Sequence, residues 1–425
     1  MLTRILHNSP KLCAFAEPLL TNLSEPQRRH LLDLADALLV CEEKKTLAAL
    51  QRQFIASTDA SNWADFLRIS PWSAAAVKGA LRQQQIAWAL AQAAASGAAK
   101  ELYLNLDDSI GEKDAQTWRL EPVDWFHDHQ ESTPKQQRYK KGFCYLACTL
   151  RVGEIVVTLD VRLYLRARTV RALNRDRATD QRLKFRSKNS LAKIILSEVA
   201  PLLPKDWDVM VQFDSWYASA KLLKFVRRQH WHFTCGLKSN RTLNGKRLDQ
   251  HARELRYKWH TRINVTTAEG KTIYYVRQLT GQVQNVPVAL RILFSKRHPW
   301  ERFPAYFAST RLTCTAQAIM QGSSSRWSCE VVNFYLKTHL GLADFRVRSD
   351  EAVDKYMVAV HLAWAYVERR YVEERGAQIQ TYGDLIRRHR DEHAELWLTG
   401  ALEMLLAGHS KEEVLQRFLR LEPAA

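Results

Sequence analysis

Two apolar runs in this chain end alike, Leu104-Asn105-Leu106-Asp107 and Val211-Gln212-Phe213-Asp214. A carboxylate at the carboxyl end of a sheet strand projects from the edge where ligands collect, and two of them on neighbouring strands can share divalent cations, which prefer hard oxygen donors. Taken singly, either aspartate is an ordinary turn residue. A third acid lifts the pair above that reading. The segment from Arg326 to Lys337 has a helical pattern, and at about 100° per residue Arg326, Glu330, Asn333 and Lys337 fall on one polar stripe. Trp327, Val331 and Phe334 make an apolar stripe beside it, with Val332 and Leu336 on another side. The pattern predicts a helix packed on two flanks with a charged seam between them; the plainer alternative is a solvated face with an i,i+4 Arg–Glu pair.

A second constellation sits near the C-terminus. His389-Arg390-Asp391-Glu392-His393 spells H-x-x-E-H, the inverted zinc-peptidase pattern, in which two histidines one turn apart bind a metal. Its surroundings are charged nearly all round, as expected of a solvated helix, and no partner acid is evident. A zinc-dependent hydrolase using His389, Glu392 and His393 is therefore a minor alternative.

The elements that must position these residues follow from patterning. Residues 25–99 are helical in period, and they read as a bundle or as a helix-turn-helix-like DNA reader. At Leu102 the period becomes two, and the strand ends at Asp107-Asp108-Ser109. A polar loop from Gly111 to Lys141 leads into strands from Phe143 to Val152 and from Glu154 to Leu165, joined through Gly153. A helix around Leu191 to Val199, a strand from Asp208 to Phe213, a helix from Tyr217 to His230 and a strand from His232 to Leu237 complete the order β-β-β-α-β-α-β. That is the ribonuclease-H-like order, a mixed sheet with helices on both faces. The segment 238–313 is a β-rich insertion before the glutamate helix, and helices return from Thr315 to near the end. The expected units are 1–99, helical and DNA-binding; 100–237 with 314–350, catalytic; 238–313, the insertion; and 351–425, a helical C-terminal region.

Composition narrows the partners. The 425 residues carry 63 Lys+Arg against 45 Asp+Glu, a net +18, with 46% apolar and 25% charged residues. A surplus of that size favours a polyanion, nucleic acid first. Eleven Lys/Arg against two aspartates lie between Arg162 and Lys193, suited to a duplex backbone or simply a solvated loop. No apolar run approaches the ~20 residues that span a bilayer, the N-terminal segment lacks the apolar core of an export signal, and seven scattered cysteines without a CxxC pair fit a reducing, cytoplasmic setting. Trp259 and Trp300 are aromatic candidates for stacking on an unpaired base, with core packing as the alternative. Arg346 and Arg348 follow the glutamate helix and could contact phosphate.

At the glutamate helix the sequence resembles the DDE transposases of bacterial insertion sequences, the group whose glutamate lies in a Tyr-x2-Arg-x3-Glu-x6-Lys signature. Arg326-x3-Glu330-x6-Lys337 fits the last three positions, and the stretch from Leu340 to Glu368 is similar to the tail of the insertion sequence 701 type. The resemblance covers roughly residues 25 to 370. One departure is Ser323 at the tyrosine position, which in that family contacts DNA phosphate. The resemblance implies Asp107, Asp214 and Glu330 as catalytic and metal-binding residues, with Asp108 as an alternative first acid, two Mg²⁺ (or Mn²⁺) ions, and Arg326, Asn333 and Lys337 near the DNA. It implies cleavage at terminal inverted repeats, joining of the 3′-OH to target DNA, and a homodimer on paired ends in the cytoplasm, nucleoid-associated when bound. Two rivals are a transposase-derived DNA-binding protein without catalysis and a stand-alone nuclease of the same fold.

Overall fold

The computed structural model describes residues 4–55, 60–128, 131–133, 136–256, 258, 260–267 and 270–419; Trp259 lies outside them. The chain opens with helices α1 (Pro10–Ala16), α2 (Glu25–Val40), α3 (Leu47–Gln51), α4 (Ala60–Arg68) and α5 (Ala74–Ala95). A capping box between Ser24 and Gln27, with Pro26 in the first turn, starts α2. Its Leu31, Leu34 and Leu38 are fully buried, because they share one core with Tyr356, Val360 and Trp364 of α12 (Asp350–Glu374). The helical segments from the two ends of the chain are thus packed on each other.

Between them lie β1 (Glu101–Glu112), β2 (Asp124–His127), β3 (Tyr139–Val152), β4 (Ile155–Tyr164), α6 (Ala167–Leu173), α7 (Lys188–Val199), β5 (Asp208–Phe213), α8 (Ala220–Arg228) and β6 (His232–Leu237). A small hairpin, β7 (Thr242–Leu243) and β8 (Lys246–Arg247), and α9 (Leu248–Leu255) precede β9 (Thr261–Thr267), β10 (Gly270–Gln282), β11 (Ala289–Lys296) and β12 (Ala305–Ser309). Helices α10 (Ala316–Ser325) and α11 (Trp327–Thr338) lead to α12, followed by α13 (Tyr382–Leu406) and α14 (Lys411–Leu419).

Among the described residues ten strands form one sheet in the order β2-β3-β1-β5-β6-β12-β11-β10-β9, with β4 also on β3. The β1–β5 and β5–β6 pairings are parallel and the rest antiparallel. Strands β9 to β12 extend the same sheet beyond β6. Leu102, Leu104 and Leu106 of β1 pack with Leu191 and Ile195 of α7 and Leu222 of α8 on one face, while α11 lies against the other.

Two sequence expectations need correction. β1 does not end at Asp107: it runs on to Glu112 because β3 stays paired with it as far as Gly142. Two glycines permit that close pairing, since a Cβ on Gly142 would lie 2.3 Å from the Gly111 carbonyl oxygen. The polar segment from Gly111 to Lys141 also carries a strand, β2, on the outer edge of β3.

Candidate active site

The parallel pairing of β1 with β5 ends with Leu106 opposite Phe213. Beyond it β5 turns at Asp214, whose Oδ1 accepts the backbone N–H of Trp216 at 2.9 Å and of Tyr217 at 3.3 Å. Gly236 of β6 leaves room for the turn, as a Cβ there would sit 3.1 Å from the Ser215 nitrogen. Asp107 and Asp214 are thus the next positions in register, where the pairing stops.

Side chains alternate along β1, so Asn105, Asp107 and Ser109 share the face covered by α11. Three contacts fix the helix there: Asn105 Nδ2 donates to Ser328 Oγ at 3.2 Å, Arg326 Nη1 to Asp107 Oδ2 at 2.8 Å and Lys337 Nζ to Ser109 Oγ at 3.1 Å. On β5, Gln212, two residues before Asp214, meets Gly322 of α10, where a Cβ would come within 2.8 Å of its amide nitrogen. The same face therefore collects Asp107, Asp214 and Glu330. Glu330 Oε1 lies 3.6 Å from the other Arg326 nitrogen, so one guanidinium spans two of the acids. Burial first, and then Asp108, Asp214 and Glu330 nearby, push the Asp107 carboxyl up to about 6 against the pull of Arg326. One cation is too little for three acids. Their oxygens suit a hard divalent ion, and the strain on Asp107 is what such an ion would relieve.

Asp108 points the opposite way. It accepts from Tyr217 Oη at 2.6 Å and from Lys188 Nζ, and the Cys144 thiol lies 3.7 Å away. Burial and this carboxylate push Cys144 up to about 12. The two neighbouring aspartates are separated by the sheet: Asp107 faces the glutamate helix, and Asp108 ties α7 and the turn after β5 to the opposite face.

Other residues depart from expectation. Only one flank of α11 packs, through Cys329, Val332 and Leu336. Trp327 and Phe334 are half exposed and line a cleft of about 530 Å³ with Glu330, Tyr371 and Tyr382. Asn333 is buried, so it is not on an open DNA face. Arg346 and Arg348 are exposed on the loop after α11. Trp300 is 78% exposed and stacks on His298 with ring centroids 4.8 Å apart, so core packing is excluded for it. Part of the basic stretch is internal: Arg162 pairs with Asp160 and Glu198, Arg177 with Asp350 and Lys188 with Asp108. Arg171, Arg175, Arg182, Lys184 and Arg186 remain exposed.

The H-x-x-E-H helix is not solvated on all sides. His389 and His393 are 1% exposed and meet a partner acid that spacing could not reveal, Asp36 of α2. Glu392 is engaged elsewhere, by Arg370 and Lys11, so the motif does not assemble as a peptidase would need.

Sequence reasoning missed a polar cavity of about 370 Å³ beside Asp214, lined by Ser215, Trp216, Lys238, Asn240, Arg241 and Gln284 among others. Trp216 is 46% exposed, with the ammonium of Lys238 5.0 Å from its ring. The available signal was adjacency: residues directly after a strand-ending acid occupy the same sheet edge.

The sheet thus brings three acids to one face beside Arg326, with Lys337 on the same helix. The family model described as DDE superfamily endonuclease matches residues 18–261, more than half of the chain, and the chain belongs to that superfamily. The model described as Transposase DDE domain matches residues 186–366. Together they take in Asp107, Asp214 and Glu330. No curated protein matches the chain. Membership makes this a transposase-type enzyme acting on DNA, in a superfamily that generally uses divalent metal ions. Among the described residues no helix is long and apolar enough to cross a membrane.

Proposed function

We propose that this chain is the transposase of a bacterial insertion sequence of the 701 type, cutting and joining DNA with Asp107, Asp214 and Glu330. The observation that carries the reading is the sharing of Arg326 by Asp107 and Glu330, with Asp214 at the adjoining strand end on the same face. The strand order β4-β3-β1-β5-β6 supports a ribonuclease-H-like core. Asp107 is the first acid in this proposal, because Asp108 is engaged with Tyr217 and Lys188 on the far side of the sheet.

Asp107, Asp214 and Glu330 would hold two divalent ions, Mg²⁺ or Mn²⁺, which when bound would supply an activated water and charge stabilisation for the leaving 3′-oxygen. The chain's own residues do the rest. Arg326 and Lys337 present positive charge beside the acids where a scissile phosphate docks. The surface of Arg171 to Arg186, with Arg346 and Arg348, tracks the duplex backbone, a sequence-independent and salt-sensitive contact. The helical N-terminal unit binds the terminal inverted repeats, and two protomers pair the ends for cut-and-paste transfer, in the cytoplasm at the nucleoid.

The test is nicking of DNA that carries the gene's own flanking inverted repeats, with Mg²⁺ or Mn²⁺, comparing wild type with Glu330→Gln. Metal-dependent cleavage at the repeat ends, lost in the variant, is the expected result. Cleavage without preference for the repeats would favour a stand-alone nuclease, and end binding without cleavage would favour the inactive DNA-binding protein.

A further inference from the structure

His389 and His393 stand one turn apart on α13, and their Nε2 atoms lie 2.7 and 2.9 Å from one oxygen, Oδ1 of Asp36 on α2. All three side chains are at most 1% exposed. Among the described residues this is the one triple of metal-ligand side chains whose ligand atoms fall within 4.8 Å of one another. The rings are 4.9 Å apart and inclined at 76°, which lets both Nε2 atoms point to a common spot. Partners outside the triple orient it: the other Asp36 oxygen accepts the Ser9 N–H at 2.7 Å, and Tyr366 Oη lies 3.5 Å from His389 Nδ1 and accepts from Arg370 at 3.1 Å. Such outer partners are what fix the rings and carboxylates of metal sites.

As a hydrogen-bond cluster alone the arrangement is uneconomical. Two imidazole N–H groups crowd one oxygen while the second oxygen is already taken by the Ser9 N–H. Two neutral imidazoles and one carboxylate are, however, a zinc donor set, and histidines four residues apart are a zinc spacing.

We propose that Asp36, His389 and His393 form a structural zinc site that fastens α13 to α2, the ion taking both Nε2 atoms and Oδ1, with a water in the fourth position. On binding, each imidazole stays neutral and carries its proton on Nδ1. Tetrahedral bonds of about 2.0–2.1 Å require the ligand atoms to separate to about 3.3 Å, a small opening of the triple. The site is distinct from the three-acid centre and does not depend on the catalytic reading. It is also not the peptidase arrangement, since Glu392 is bound by Arg370 and Lys11.

The test uses full-length protein carrying Asp107→Asn, Asp214→Asn and Glu330→Gln, so that the acidic centre takes up no metal. It is expressed with added zinc, dialysed against a weak chelator and assayed for metal. About one zinc per chain is expected, replaceable by Co²⁺ with the visible bands of a tetrahedral ion, and both signals should vanish on adding His389→Gln with His393→Gln. Zinc below about a tenth of an equivalent in the parent, or zinc retained by the histidine variant, overturns the proposal. The parent's metal content and Co²⁺ spectrum decide the matter even if the histidine variant does not fold.

Discussion

The acids around Arg326 and the triple of Asp36, His389 and His393 use similar side chains in opposite settings. At the first, side chains are 17% (Asp107) and 42% (Glu330) exposed, one guanidinium spans two of the three acids, and Asp107 is pushed up by burial and by its neighbours. At the second, everything is buried and a single carboxylate faces two imidazoles. Burial alone would raise Asp36, yet the hydrogen bonds from His389 and His393 hold it well below the ordinary carboxylate range. One cluster is open and short of positive charge; the other is closed, its one carboxylate hydrogen-bonded by two imidazoles. The first suits a reversible cation and a phosphate, the second a permanent fastening between the two ends of the chain.

The largest expected effect breaks the comparison at its open side. Asp107→Asn, Asp214→Asn and Glu330→Gln should each lower end cleavage by about a thousandfold or more, the scale of losing a metal-centred transition-state interaction, with end binding kept in gel-shift assays. Cleavage within tenfold of wild type in any one of them removes that residue from the site. On the closed side, Asp36→Ala leaves two buried imidazoles and the Ser9 N–H without their acceptor. It should cost about 3 kcal/mol or more, read by urea unfolding in chelator. A loss under about 1 kcal/mol would deny the cluster its fastening role.

A smaller effect separates adjacent aspartates. The native state holds the Asp107 proton up to about pH 6, above the ordinary value near 3.8, so the metal-free native protein binds more protons than the unfolded chain in that window. Stability is therefore lost as pH rises from about 4 to 6, and at pH 7.5 Asp107→Asn should be more stable than wild type by about 1–2 kcal/mol, a gain absent at pH 4. Asp108→Asn should instead destabilise by about 1–3 kcal/mol, because it weakens buried contacts with Tyr217 and Lys188. Urea unfolding in EDTA at the two pH values checks both signs; a pH-independent difference for Asp107→Asn would refute the crowding argument.

How much of this was legible in the sequence depends on how local each feature is. β5 and β6 fall on the residues expected, because short apolar runs bounded by polar residues leave little choice. Asp214 and the glutamate helix were readable for the same reason. The end of β1 was not, since Asp107-Asp108-Ser109 looks like a turn until Gly111 and Gly142 bring β3 alongside. Alternation on that strand, invisible without its length, is what sends Asp107 and Asp108 to opposite faces. The burial of His389 and His393 was hidden most deeply, as their partner lies more than 350 residues earlier. Arg162 and Lys188 looked like parts of a DNA-facing stretch because their acidic partners on β4, α7 and β1 are brought to them by the sheet.

The smallest expected effect concerns a residue outside both clusters. Trp300 lies on the loop between β11 and β12, exposed and stacked on His298, so Trp300→Ala should change stability by no more than about 0.5 kcal/mol. An aromatic that stacks on an unpaired base contributes about 1–3 kcal/mol to binding, so affinity for a pre-cut end with a single-stranded overhang should fall by about fivefold or more, with blunt duplex affinity nearly unchanged. Equal losses for both DNAs would make Trp300 a general surface contact, and no loss for either would remove it from the DNA path. The comparison of overhang with duplex thus tests whether the insertion reaches the cut end or only extends the sheet.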